Sequence, residues 1–194
     1  MQLFLIRHPR PLLTSGICYG QLDVEAADPQ PAAERLRALL PAGTPVIASP
    51  LQRARRLAEA LHPQPLLDRR LLEINFGEWE GVAWDDIDRR LLDVWAADML
   101  HFAAPGGESA AMLQARARDC VDRLRVSSVA LVTHAGVIRA LLGYWLHLPI
   151  GEWSQLAVDF GSISLLEIDH ISQPEPRQGS SRPAAPAILH YLNH

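Results

Sequence analysis

Two apolar segments of this chain end in the same way, and the repeated ending limits the folds open to it. Leu3–Ile6 runs into Arg7 and His8, and Val129–Thr133 runs directly into His134. Short aliphatic runs of this kind are typical of buried parallel strands, whose carboxyl ends meet at the ligand-binding edge of an α/β sheet. Taken alone, the first segment fits a strand capped by solvated charges as well as it fits a functional site, and a single buried histidine is more often a core residue than a catalyst. Together they predict two neighbouring strands that deliver two imidazoles to one site.

A third strand-to-helix transition adds a cation to this predicted edge. The short apolar run 45–48 is followed by Ser49 and Pro50, which favour the N-cap and the first position of a helix. Arg53 then falls in the first helical turn, where a guanidinium and the helix dipole together favour an anion such as phosphate. Arg7, at the first strand tip, is a second candidate for binding an anion.

Residues 72–81 carry three glutamates among aromatic residues and glycines, without a helical or strand period. Irregular segments often carry function, and a carboxyl group held among apolar side chains can serve as a general acid. Spacing alone does not choose between Glu73, Glu78 and Glu80. An ordinary acidic loop is the alternative interpretation.

The whole chain, residues 1–194, is predicted to form one α/β domain. Strands and helices alternate as in a three-layer wound, mostly parallel sheet with helices on both faces. The strands are expected at about 2–8, 45–48 and 128–133, and the helices at about 31–40, 50–61 and 136–147.

Two other regions depart from this alternation. Helical patterns from Trp84 to Met99 and from Ser109 to Leu124 predict a cap-like insertion over the strand tips, at about 84–125. Two alternating segments, 162–168 and 187–192, are expected to be edge strands. Between them, residues 173–186 are rich in Pro, Ser and Gly, which indicates a flexible loop.

Composition excludes several classes of function. The 18 basic and 22 acidic side chains give a net charge of −4, which argues against a dedicated nucleic-acid or membrane-surface protein. No apolar stretch approaches the ~20 residues of a membrane helix, and the N-terminus lacks a signal-like pattern, so a cytoplasmic location is expected. Cys18 and Cys120 provide no disulfide framework, and the eight histidines show no zinc-binding spacing.

Five motifs in this order resemble the histidine phosphatase superfamily, which has the phosphoglycerate mutase-like fold. They lie at Leu5–His8, Ser49–Ala54, Leu72–Gly81, Pro105–Ser109 and Val132–Gly136. The resemblance implies that His8 is a nucleophile that becomes phosphorylated and that Glu73 is the proton donor. It also implies a phosphate pocket formed by Arg7, Arg53, His134 and the backbone N–H groups that follow, beginning at Ala135. No metal and no other cofactor is implied.

One departure from the usual motif narrows the resemblance. Pro9 and Arg10 follow the Arg-His pair, and proline has no backbone N–H to offer a phosphate. Together with the loop that contains Cys18, Tyr19 and Gly20, this start resembles the α-ribazole phosphatase-like branch. Arg10 and Tyr19 are therefore candidates for substrate binding, although Tyr19 fits a packed loop residue equally well.

The favoured function is a metal-independent phosphomonoesterase that acts through a phosphohistidine. The resemblance suggests a small phosphorylated nucleoside as substrate, such as α-ribazole 5′-phosphate in cobalamin nucleotide-loop assembly. A phosphoglycerate mutase-like enzyme or a broad-specificity sugar phosphatase is the alternative. A non-enzymatic phospholigand-binding module is a third hypothesis, against which the presence of both His8 and Glu73 argues. The expected partner is a small-molecule phosphate ester, and a homodimer stays open.

Overall fold

The computed structural model describes residues 1–169 and 187–194, and within these ranges the strands form one mixed sheet. Its spatial order is β3-β2-β4-β1-β5-β6. The first four of these are mutually parallel, and the last two run antiparallel to their neighbours. The strands are β1 (Gln2–Arg7), β2 (Val46–Ala48), β3 (Leu66–Leu67), β4 (Ser128–Thr133), β5 (Ile163–Ile168) and β6 (Ala187–Tyr191).

Helices cover both faces of this sheet. They are α1 (Gln30–Arg37), α2 (Gln52–Leu61), α3 (Arg89–Ala97), α4 (Ala110–Asp122), α5 (Ala135–Trp145) and α6 (Ile150–Trp153). Side chains of β1 alternate between two apolar clusters, because successive residues of a strand point to opposite faces. Leu3 and Leu5 pack on the side of α4 and α5, whereas Phe4 and Ile6 pack on the side of α1 and α2. The predicted fold class is therefore confirmed.

The cap-like insertion differs from its predicted extent of 84–125. A third apolar cluster forms around Trp79 and Ile87, with α3 contributing Trp95. Helix α4, by contrast, buries its apolar face in the main core against α5. The insertion therefore begins before residue 84 and ends before α4. Its predicted continuous helix is also interrupted, because Asp88 caps α3 by accepting a hydrogen bond from the Arg90 amide.

Two further predictions need correction, and one short strand was not predicted. Helix α2 begins at Gln52 with Leu51 as its N-cap, so Ser49 does not cap it. Strand β5 lies between β1 and β6 instead of at an edge, because it pairs with β1 along five residues. Strand β3 was not predicted, since two residues are too short to show a period.

The predicted flexible loop at 173–186 lies outside the described residues. In the described part of the chain, no helix is long and apolar enough to cross a membrane.

Gly77 offers a test of the close packing between its backbone and the backbone of residues 105–107. Its φ is +54°, and a Cβ there would lie 2.1 Å from the carbonyl oxygen of Pro105. Gly43 also has a positive φ, of +79°, but a Cβ there meets nothing. We expect Gly43→Ala to cost about 1 kcal/mol of unfolding free energy from backbone strain alone. Gly77→Ala should cost about 1–3 kcal/mol more, since the backbone must also move. Urea unfolding of the two variants measures this difference, and equal losses would contradict the steric argument.

Candidate active site

The register of β1 and β4 brings His8 and His134 together. Arg7 lies opposite Thr133 in the parallel pair, and the His8 amide donates to the Thr133 carbonyl at 3.1 Å. The imidazole centroids are 5.0 Å apart, with the rings inclined at 60°. His8 is 2% exposed and His134 is fully buried. The two strand tips therefore place both rings in one protected site, as the sequence predicted.

His8 is held as a neutral imidazole of defined tautomer. Its Nδ1 lies 2.6 Å from the carbonyl oxygen of Pro9, and because a carbonyl only accepts, Nδ1 carries the hydrogen. Burial, and after it the charge of Arg53, lowers the pKa of His8 from 6.5 to about 3. Nε2 therefore keeps its lone pair, which is the form a nucleophile needs.

His134 is oriented by Ser49, a residue whose role sequence analysis assigned wrongly. Its Nε2 lies 2.7 Å from Ser49 Oγ, and its Nδ1 is buried without a partner among the described residues. Burial, and after it the electrostatic effect of the neighbouring His8, lowers the pKa of His134 well below 6.5. A Ser49 hydroxyl that donates to Nε2 leaves the hydrogen on Nδ1, available to a ligand. Ser49 follows β2 just as the histidines follow β1 and β4, which is the signal that was overlooked.

Arg7 and Arg53 are anchored by backbone carbonyls. Arg53, 1% exposed, donates to the carbonyls of Leu22, at 2.8 Å, and Gly20. Arg7 donates to the Val158 carbonyl. In each guanidinium the Nε is buried and has no partner within the described ranges. Burial lowers the pKa of both guanidinium groups below its ordinary value. The two arginines are thus fixed as partly unsatisfied donors beside the imidazoles.

Tyr19 lies within this set, whereas Arg10 lies at its margin. The Arg53 guanidinium is 5.5 Å from the centre of the Tyr19 ring. Arg10 is exposed, with its guanidinium 4.9 Å from the centre of the Phe160 ring. The Arg7 guanidinium lies 3.6 Å from the centre of the same ring. Arg7, Arg10 and Phe160 line an open cavity of about 590 Å³.

Phe160 was not predicted as a site residue. Its ring lies 5.7 Å from that of His8, so it forms a wall of the site in addition to contacting the two guanidiniums. No local pattern marked it. Ala135, which was predicted, is the first residue of α5, and its amide is among those that lack an intrahelical acceptor.

The three candidate glutamates occupy different environments. Glu73 accepts from the amide of Ile74 at 2.9 Å and from that of Gly136 at 3.0 Å, so its carboxylate lies at the start of α5. The Glu80 carboxylate instead accepts hydrogen bonds from three backbone amides, two of them in the loop at 21–22. Glu78 is exposed. Glu73 is therefore the carboxylate that the structure brings to the histidines.

The glycine at position 136 permits this approach. A Cβ there would lie 2.3 Å from Glu73 Oε1. Because residue 136 has no Cβ, the Glu73 carboxylate can occupy this place beside the start of α5.

Neither metal ligation nor a reactive thiol is indicated by the remaining side chains. In the ranges 1–169 and 187–194, no three His, Cys, Asp or Glu side chains form a group able to hold a metal ion. Cys18 and Cys120 are buried, and burial raises the pKa of each thiol to about 12. Cys18 packs in the cluster around Trp79.

The two neutral histidines predict a pH-dependent stability. Because their folded pKa values are lowered, the unfolded chain takes up protons that the folded chain excludes. Their stabilising contribution is therefore complete above pH 6.5 and is lost as the pH falls below it, for His8 down to about pH 3. Each group contributes about 1.4 kcal/mol per pH unit to the slope of the unfolding free energy against pH. We expect His134→Asn to reduce the slope of unfolding free energy between pH 6.5 and 5 by about that amount, as measured by urea unfolding. The exposed His147, replaced by Asn, serves as the control and should leave the slope unchanged.

Comparison with known proteins gives a consistent assignment. The profile of the histidine phosphatase superfamily (branch 1) matches residues 3–174. The glucosyl-3-phosphoglycerate phosphatase of Mycobacterium tuberculosis is 32% identical over 182 residues, covering 80% of this chain and 79% of that protein. The bifunctional protein Rv2228c of the same species is 34% identical over 133 residues, which cover 63% of this chain. The chain spans only 36% of the length of that relative.

Solved structures agree with these relatives. The mycobacterial glucosyl-3-phosphoglycerate phosphatase has a TM-score of 0.80 and 27% identity, covering 99% of this chain and 98% of its own. A phosphoglycerate mutase from Thermus thermophilus has a TM-score of 0.70 and 35% identity, covering 85% of this chain and 92% of its own. With the strand-tip histidines and arginines in place, this chain belongs to the histidine phosphatase superfamily.

Proposed function

We propose that this phosphatase is a metal-independent phosphomonoesterase in which His8 carries the phosphoryl group between substrate and water. One observation carries the proposal. A buried imidazole with a free Nε2 lies beside buried polar nitrogens of Arg7, Arg53 and His134 that have no partner in the described part of the chain. Unpaired buried donors are costly, and phosphate oxygens are the acceptors that suit them.

In the first step, His8 Nε2 attacks phosphorus and the bond to the leaving oxygen breaks. Protonated Glu73 gives its proton to that oxygen, so the product leaves as an alcohol. Arg7, Arg53 and Nδ1–H of His134 oppose the charge on the three equatorial oxygens. In the second step, water attacks the phosphohistidine while Glu73 takes up the proton, which restores neutral His8 and releases phosphate. Cationic side chains thus take the part that metal ions have in other phosphatases.

For the substrate, we propose α-ribazole 5′-phosphate or a similar phosphorylated nucleoside. Tyr19 and Arg10 support it, because an aromatic ring beside the phosphate pocket and an exposed guanidinium over Phe160 suit a base and its ribose. Glucosyl-3-phosphoglycerate is the second candidate. It is favoured by the name of a relative that matches over most of both chains. The cytoplasmic location and a homodimer also stay predictions.

The covalent step has a direct test. Incubation with a labelled phosphate ester and rapid quenching should trap a label that is stable to base and released by acid, as a phosphohistidine requires. His8→Asn should abolish both label and turnover, whereas replacing the exposed His101 by Asn should change neither. The label is expected to form equally in EDTA. An acid-stable label, or one that persists in His8→Asn, would exclude His8 as the nucleophile.

Substrate choice is tested by kcat/KM. Wild-type enzyme should hydrolyse α-ribazole 5′-phosphate with a kcat/KM at least about tenfold above that for glucosyl-3-phosphoglycerate or 3-phosphoglycerate. Tyr19→Ala and Arg10→Ala should lower that ratio while changing the hydrolysis of p-nitrophenyl phosphate little. A preference for glucosyl-3-phosphoglycerate would select the second candidate. Phosphate transfer within phosphoglycerate would instead indicate a mutase.

A further inference from the structure

The guanidinium of Arg116, in the middle of α4, donates hydrogen bonds to the segment that carries Glu73. Its Nη1 donates to the carbonyl of Arg70 at 2.8 Å and to that of Leu72 at 2.6 Å. Its Nη2 donates to the carbonyl of Glu73 itself at 2.9 Å. Nε and Nη2 also pair with the carboxylate of Glu108. One side chain therefore binds three backbone carbonyls at and just before the proposed acid.

Glu108 completes this contact from the other side. Its Oε1 accepts the amide of Asn75 at 2.9 Å, and its own amide donates to the carbonyl of Asn75 at 2.8 Å. Its side chain is 11% exposed and that of Arg116 is 20% exposed, so solvent screens the pair only in part. The backbone is thus held on both sides of Glu73.

The segment needs such partners because it lacks a regular structure of its own. Residues 72–76 form neither helix nor strand, so their carbonyls have no ladder of backbone donors. Helix α4 is a rigid support, since Leu113 and Ala117 bury it in the main core. The only other side chain that donates to the Glu73 carbonyl in the described ranges is that of Gln21, at 3.1 Å.

The geometry points to Arg116 and Glu108 as positioning residues that set where the Glu73 carboxyl group lies relative to His8. This inference rests on the proposed role of Glu73 and extends it. Neither residue touches the reacting atoms. They act through the backbone, and a displacement of about 1 Å of a catalytic group can cost ~10²-fold in rate. An arginine suits this task better than a lysine, because its planar fork offers five donors in fixed directions.

Dependence on the leaving group separates positioning of the acid from a general loss of structure. Nitrophenolate departs without a proton, whereas phenolate gains from general acid catalysis, which contributes about 10²–10⁴-fold. We would measure kcat and KM on p-nitrophenyl phosphate and on phenyl phosphate for the wild type, Glu73→Gln, Arg116→Ala and Arg116→Lys. Arg118→Ala is the matched control, since Arg118 lies on the same helix in an exposed pair with Asp122.

We expect Glu73→Gln to lower kcat on phenyl phosphate far more than on p-nitrophenyl phosphate. Arg116→Ala should show the same selective loss, of about 10–10² in the ratio of the two kcat values, with KM little changed. Arg116→Lys should recover part of it, and Arg118→Ala should match the wild type. Adding Arg116→Ala to Glu73→Gln should produce no further selective loss, because both changes remove one function.

Equal losses on both substrates in Arg116→Ala, beside a selective loss in Glu73→Gln, would overturn the positioning role and leave the proposed function intact. Equal losses in Glu73→Gln would instead overturn the acid role and this inference with it. If Arg116→Ala does not fold, Glu108→Gln carries the same comparison. It keeps the acceptor for the Asn75 amide and removes the charge that orients Arg116, so a selective loss is again expected.

Discussion

The parallel pairing of β1 with β4 is the interaction on which the rest of this structure depends. It sets Arg7 opposite Thr133, so that His8 and His134 leave the sheet side by side. Strand β2 pairs with the other side of β4 and brings Ser49 to the same edge. Since side chains alternate between sheet faces and both faces are packed, a slip of one residue would move every buried side chain of the shifted strand into the packing of the opposite face. Packing on both faces therefore holds the register, and the register holds the site.

Burial then determines the chemistry available at that edge. It disfavours the charged form of each imidazole, which keeps His8 and His134 neutral beside the guanidiniums of Arg7 and Arg53. The backbone satisfies only part of this polar set, because several buried nitrogens lack partners in the described ranges. Neutral imidazoles, fixed cations and unsatisfied buried donors are unfavourable together without a partner, and a phosphoryl group would supply the acceptors they lack. The family assignment and the local physical chemistry thus agree.

The carboxylate reaches this edge by a different route, because no strand delivers Glu73. Its segment is irregular, and contacts with the start of α5 and with α4 fix it in place. The site thus combines groups held by sheet register with a group held by side-chain hydrogen bonds. The second kind of support is easier to perturb without unfolding the protein, which makes α4 a place where single substitutions can separate the proposed acid catalysis from the proposed phosphate binding.

Local sequence patterns were sufficient to predict the alternation of strands and helices. They also placed both histidines at strand tips and Arg53 in the first turn of a helix. A strand ending or a first helical turn is a matter of a few consecutive residues, so the sequence alone determined these features. Spacing left Glu73 and its two neighbours open, and only the family resemblance pointed to Glu73 before its contact with Gly136 was seen. The tertiary structure alone assigned Ser49 to His134 and separated α4 from the insertion. Those outcomes depend on contacts between residues 63 and 85 positions apart, for Glu73 with Gly136 and Ser49 with His134. Such distances along the chain carry no local period, and only the folded backbone brings these side chains together.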